Sequence, residues 1–101
     1  MHYIICYDIE NDRLRDRAAK TLEKNGCRRL QKSVFVAPHM TKKDLVRLQL
    51  MLRQIFERRP LQPGDSVYVV PLPNEMALET ECLGLNNAFP ALLEKKLKVL
   101  L

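Results

Sequence analysis

The sequence lacks most of what marks a cofactor-dependent or metal-cluster protein. Three glycines in 101 residues, none of them directly after the first apolar stretch, leave no phosphate-cradling loop where a nucleotide binder needs one. Two histidines, His2 and His39, and three scattered cysteines, Cys6, Cys27 and Cys82, form no group at metal-ligand spacing and no CxxC pair. Neither histidine lies near a marked serine, so no Ser/His/Asp set is expected. An odd number of distant cysteines reads as reduced thiols in a cytoplasmic protein rather than a disulfide framework. There is no charged-then-apolar leader and no long uncharged apolar run, so neither a signal peptide nor a membrane partner is expected.

What is present is basic and small. A chain of 101 residues reads as one domain with a thin core, for which an oligomer that covers a second face is a natural solution. The formal net charge is +5, from 17 basic and 12 acidic residues. The surplus is concentrated. Arg13, Arg15, Arg17, Lys20, Lys24, Arg28, Arg29 and Lys32 fall in one stretch that contains only Asp16 and Glu23 as acids. Such a run is either a solvated helix face or a surface for a polyanion.

Order along the chain comes from spacing. In His2 to Asp8 both alternating sets are apolar, with Ile4 and Cys6 on one face and Tyr3, Ile5 and Tyr7 on the other. A strand apolar on both sides belongs at the centre of a sheet covered on both sides. Leu14, Ala18 and Leu22 recur at four-residue spacing, Asn11 or Asp12 can cap, and Asn25-Gly26 can terminate, which predicts a helix over about 12–25. Cys27–Gln31 and Ser33–Ala37 read as two strands around a bend near Lys32. Thr41 and Asp44 form a capping-box-like start for a helix over 42–58, with Leu45, Leu48, Leu52, Ile55 and Phe56 as its apolar face. After a Pro- and Gly-containing loop, Asp65–Leu72 is a further strand apolar on both faces, with Pro71 at its end or on an unpaired edge.

The resulting βαββαβ order predicts an α+β, ferredoxin-like domain over residues 1–73, with both helices on one face of a four-stranded antiparallel sheet. The other face still carries apolar side chains, and a second copy of the chain is the simplest cover. Residues 74–101 read as a C-terminal extension. Met76–Leu85 carries a loose alternation suggesting a short fifth strand, and Phe89, Leu92, Leu93, Leu97 and Leu100 mark a final amphipathic helix.

Asp8 sits where the first strand leaves the core. A carboxylate there is a hard oxygen ligand suited to Mg²⁺ or Mn²⁺, and two copies brought together by a two-fold axis would make a better site than one. The plain alternative is a strand-ending residue that caps a turn. Arg15 and Arg17, two apart on a helix, do not share a face, and Arg28 and Arg29 point to opposite faces of a strand. They grip phosphates or keep the protein soluble. Phe35 is a core residue or a base-stacking platform.

Together these motifs resemble a known family. A strand ending Tyr7-Asp8, a basic helix with Arg15 and Arg17, then Arg29, then Gln31-Lys32-Ser33-Val34-Phe35, and a last strand closing in Pro71-Leu72 are similar to the small CRISPR-associated endoribonucleases of spacer adaptation. The resemblance spans roughly residues 1–72. It implies a ferredoxin-like fold, a homodimer paired through the open sheet face, and Asp8 as the metal-binding residue contributed by each protomer. It implies nuclease roles for Asp8, Tyr7, Arg15, Arg17, Arg29 and Phe35, with Mg²⁺ (or Mn²⁺) as cofactor and RNA or double-stranded DNA as substrate. It implies nucleic-acid binding through Arg13, Arg15, Arg17, Arg28, Arg29 and Lys32. It also implies a rival role, as a non-catalytic scaffold that bridges the adaptation integrase and holds spacer DNA. A related ferredoxin-like toxin ribonuclease is the third reading. The chain departs from the family pattern after about residue 73.

Overall fold

The first strand decides the architecture. In the computed structural model, which describes residues 1–81 and 83, β1 (His2–Asp8) lies between β3 (Val34–Ala37) and β4 (Ser66–Leu72), and β2 (Arg28–Gln31) lies outside β3. All neighbours are antiparallel, in the order β2-β3-β1-β4. Two helices, α1 (Asp12–Lys24) and α2 (Lys42–Arg58), connect the strands, and a short α3 (Asn74–Glu79) follows. This is the ferredoxin-like plan expected from the element order.

Both helices pack on the face that carries Tyr3, Ile5 and Tyr7. Leu14, Ala18, Ala19 and Leu22 of α1 and Leu45, Leu48 and Leu52 of α2 meet those residues and Phe35 in one core. Ile5 and Phe35 have no exposed surface. Val67 and Val69 complete this side from β4.

The helix ends follow local chemistry. The Asn11 side chain accepts from the Leu14 amide at 3.0 Å, and Thr41 accepts from the Asp44 amide at 3.1 Å. Each such cap contributes about 1 kcal/mol. At the other end of α1, the Gly26 amide donates to the Glu23 carbonyl and the Cys27 amide to the Leu22 carbonyl. That paired closure needs a left-handed residue, and Gly26 supplies it with φ 85°. It also engages Cys27, so β2 starts at Arg28, one residue later than the sequence predicts.

The extension differs from expectation. Met76–Glu79, expected in a fifth strand, belong to α3 instead. Pro73 precedes the helix, where its missing amide costs nothing, and Ala77 is buried against Val36, with Ile4, Leu30 and Leu72 packed around it. Side-chain burial in one helical turn outweighs the weak alternation. The final amphipathic helix expected over residues 87–100 lies outside the described residues.

One buried histidine ties the start of the chain down. His2 is 2% exposed, its Nδ1 accepts from the His39 amide at 3.0 Å, and the two rings meet edge-on at 4.3 Å. Burial, then the charge of His39 and the N-terminal amine, hold the His2 pKa below its usual 6.5. The unfolded chain therefore takes up this proton first as pH falls. Stability contributed by neutral His2 should be present above pH 6.5 and decline as pH falls towards the folded-state value. Urea melts of the wild type and His2→Asn between pH 7.5 and 5 should show a steeper loss in the wild type; parallel curves would remove His2 as the cause.

Candidate functional site

Asp8 is the last residue of β1 and lies opposite Ser66 in the sheet register. Alternation places it on the face away from α1 and α2, with Ile4 and Cys6. It is exposed, and its carboxylate makes no hydrogen bond or ion pair among the described residues. Tyr68 and Val70, which face the same way, are 63% and 44% exposed. Among the described residues, Asp8 thus stands at the open end of an apolar sheet face, whereas α3 covers the other end.

The loop after Asp8 is clamped from two sides. Arg15 donates through Nη1 to the Ile9 carbonyl at 3.0 Å and the Glu10 carbonyl at 3.4 Å, while its Nη2 pairs with Asp12. Asp65 accepts from the Glu10 amide at 3.1 Å and from the Gln62 amide at 2.8 Å. Ile9 is buried beneath this clamp. Asp65 is a site residue that the spacing argument missed. It reads as the first residue of a strand, and its two backbone acceptor bonds become visible only once the loops meet.

The donor set fits a hard cation in kind. No group of three or more His, Cys, Asp or Glu side chains gathers among the described residues, so a cation held by Asp8 would draw most of its donors from outside them.

Two of the other expected catalytic residues lie on the opposite side of the sheet from Asp8. Tyr7 and Phe35 face the helices and are buried. Their rings stack 27° from parallel, with centroids 6.1 Å apart. Burial raises the Tyr7 pKa and prevails over the opposing charges of Arg29 and Arg15. The Arg29 guanidinium lies over the Phe35 ring at 5.0 Å, donates to the Lys32 carbonyl at 3.1 Å and pairs with Glu23 at 3.3 Å. Tyr7 and Phe35 are core residues in this arrangement, and the Phe35 ring lies beneath the Arg29 guanidinium. Both Arg28 and Lys32 are exposed, Arg28 on the open side of β2 opposite Val36 and Lys32 in the β2–β3 turn. Arg13 and Arg17 lie on α1 beside α2, where Lys20, Ile55 and Arg59 complete an open groove of about 450 Å³. The expected site residues therefore occupy three places: the open sheet face, the buried layer and the helix surface.

Comparisons with known proteins agree with this fold. The family model for CRISPR associated protein Cas2 matches residues 1–80, and the chain belongs to that family. It is 35% identical over 69 residues to a CRISPR-associated endoribonuclease Cas2 of Korarchaeum cryptofilum, covering 68% of this chain and 69% of that one. It is 32% identical over 82 residues to CRISPR-associated endoribonuclease Cas2 2 of a Synechocystis species, covering 81% and 83%. Among solved structures, a chain of a partial Cas6-RT-Cas1–Cas2 complex superposes with a TM-score of 0.70 at 26% identity, covering 86% of this chain and 90% of that one. The Streptococcus pyogenes Cas2 crystal structure, at 24% identity and a TM-score of 0.65, covers 83% and 100% and shares the fold.

The burial of Phe35 has a measurable consequence. Phe35→Ala should cost about 3–5 kcal/mol of folding stability. Chemical denaturation reads it directly, and a change under 1 kcal/mol would mean that the ring is not in the core.

Proposed function

We propose that this chain is a CRISPR adaptation protein that pairs with a second copy through its open sheet face and binds nucleic acid beside an integrase partner. In this reading the paired Asp8 carboxylates hold Mg²⁺ (or Mn²⁺), and the dimer cleaves a phosphodiester in RNA or double-stranded DNA. The observation that carries it is the placement of Asp8: an exposed carboxylate with no hydrogen-bond or ion-pair partner among the described residues, at the rim of the half of an apolar sheet face that those residues leave open. A second copy on that face buries Tyr68 and Val70 and brings two Asp8 side chains towards one axis. The names of the relatives, endoribonucleases, and of the Cas1–Cas2 assembly support the nuclease and integrase parts.

Each part of the chain has a defined task in this reading. The Arg15 and Asp65 clamp holds the Ile9–Glu10 backbone that directly follows Asp8, which steadies the position of the strand end. Two such carboxylates repel unless a cation lies between them, which favours metal uptake as the dimer forms. The ion, when bound, polarises the phosphate and lowers the pKa of an attacking water. A second reading, as a scaffold without cleavage, is favoured by one observation. Tyr7 and Phe35 are buried, and Arg15 and Arg29 are engaged by groups of the protein itself, so none of these four side chains stands free beside Asp8 to meet a substrate.

Two outcomes test this. Asp8→Asn should keep the fold and change nucleic-acid affinity by less than about twofold, since the arginines and lysines carry affinity. It should abolish Mg²⁺-dependent cleavage of RNA and duplex DNA; full cleavage by the purified variant rules Asp8 out. If that variant supports spacer integration as well as the wild type does, the scaffold role stands. Separately, Tyr68→Lys should convert a dimer into a monomer in sedimentation at micromolar concentration, and a dimer that persists would place the pairing surface elsewhere.

A further inference from the structure

Asp8 and Ser66 form the last pair between β1 and β4. Strand ends open more easily than strand centres, because the final pair has no neighbour beyond it. Here a side chain supplies the next contact. Asp65, half-buried and directly before Ser66, accepts from the Glu10 amide through Oδ1 at 3.1 Å, across 55 positions of the chain. Its Oδ2 accepts from the Gln62 amide at 2.8 Å.

The turn that carries Asp65 explains how the carboxylate keeps this place. Gln62-Pro63-Gly64-Asp65 is closed by the Asp65 amide, which donates to the Gln62 carbonyl at 2.9 Å. Proline in the second position and a glycine with φ 93° in the third are the type II pattern. The Oδ2 bond lies within this turn and would serve the turn wherever it stood in the fold. The Oδ1 bond does not serve the turn. It crosses to the loop that follows Asp8, and it is of the stronger kind, an amide donating to a charged acceptor. Arg15 reaches the same loop from α1, at the Ile9 and Glu10 carbonyls. Glu10 is therefore held at its amide from the β4 side and at its carbonyl from the α1 side.

We propose that Asp65 is a positioning residue for Asp8: its Oδ1 adds a side-chain rung beyond the last strand pair, and this rung keeps the end of β1 in the form that takes up a divalent cation. The inference rests on the reading of Asp8 as a cation ligand. Asp65 exerts its effect through the Glu10 backbone rather than by contact with the ion. The coupling is reciprocal, so a rung that favours cation uptake is itself strengthened by the cation.

The probe is Mn²⁺ alone, titrated into the full chain and followed by electron paramagnetic resonance. Asp65→Ala should weaken Mn²⁺ binding about fivefold or more, the lower end of coupling between sites. Asp65→Asn keeps one acceptor oxygen and should lose less. Thr41→Ala removes the cap of α2 near the His2 end of the sheet, away from Asp8, and should bind Mn²⁺ as the wild type does. A second measurement needs no Asp65 variant to fold. Hydrogen exchange at the Glu10 amide, read by NMR, should slow on adding Mg²⁺ to the wild type and stay unchanged in Asp8→Asn. Wild-type Mn²⁺ affinity in Asp65→Ala, or Glu10 exchange indifferent to Mg²⁺ in a protein that binds the ion through Asp8, would overturn the positioning role and leave the Asp8 reading intact. A loss in Asp65→Asn as large as in Asp65→Ala would assign the effect to charge and overturn the rung. An equal loss in Thr41→Ala would reduce it to general stability and overturn it too. A wild type that binds no Mn²⁺, or an Asp8→Asn variant that binds it equally well, would overturn the Asp8 reading and the role of Asp65 together.

Discussion

The structure depends on one constraint: β1 is apolar on both faces. One helix layer seals Tyr3, Ile5 and Tyr7, and the opposite set needs another cover. Among the described residues α3 supplies part of it: Ala77 is small enough to bring the helix close over Val36, Ile4, Leu30 and Leu72. Beyond it lie Cys6, Tyr68 and finally Asp8, where the strand leaves the core. At roughly 25 cal/mol per Å² of apolar surface removed from water, leaving a sheet face open has a standing cost. The proposed pairing of two copies would relieve that cost next to Asp8.

That geometry divides the basic residues by task. Arg15 and Arg29 look from the sequence like nucleic-acid contacts, yet both are engaged inside the fold. The Arg15–Asp12 ion pair is a half-exposed surface interaction worth at most about 1 kcal/mol. Its hydrogen bonds to the Ile9 and Glu10 carbonyls matter more, because charge-assisted bonds to backbone groups contribute roughly 1.5–3 kcal/mol each. Arg15 therefore works mainly as a loop clamp. Arg29 is in turn held by Phe35, Glu23 and the Lys32 carbonyl.

Much of this fold was legible in the sequence, for reasons that can be named. The two-sided pattern of β1, the Asn11 and Thr41 caps and the Gly26 terminator are local signals, and the structure keeps them with boundaries that move by one residue. Pro71 lies on the edge strand, paired only with Tyr3, as its missing amide requires. The register shift between Arg29 and Gln31 was not legible, because it depends on how β2 meets β3. The replacement of a fifth strand by α3 was hidden for the same kind of reason. Its stabilising contact is a burial site for Ala77 that exists only after β1, β2, β3 and β4 have assembled. Of the candidate site, Asp8 was visible as a strand-ending carboxylate. The link from Asp65 to the Glu10 amide was not, since the two residues lie 55 positions apart in the chain.

The separation of these features has a mechanistic consequence. Asp8 lies on the open side of the sheet, and the basic residues of α1 lie across the helix layer on the other. In the proposed pairing through the open face, two Asp8 residues would come together while those basic residues stay across the helix layer from them. Affinity for nucleic acid and any cleavage would then be supplied by different surfaces, so that each could be lost without the other.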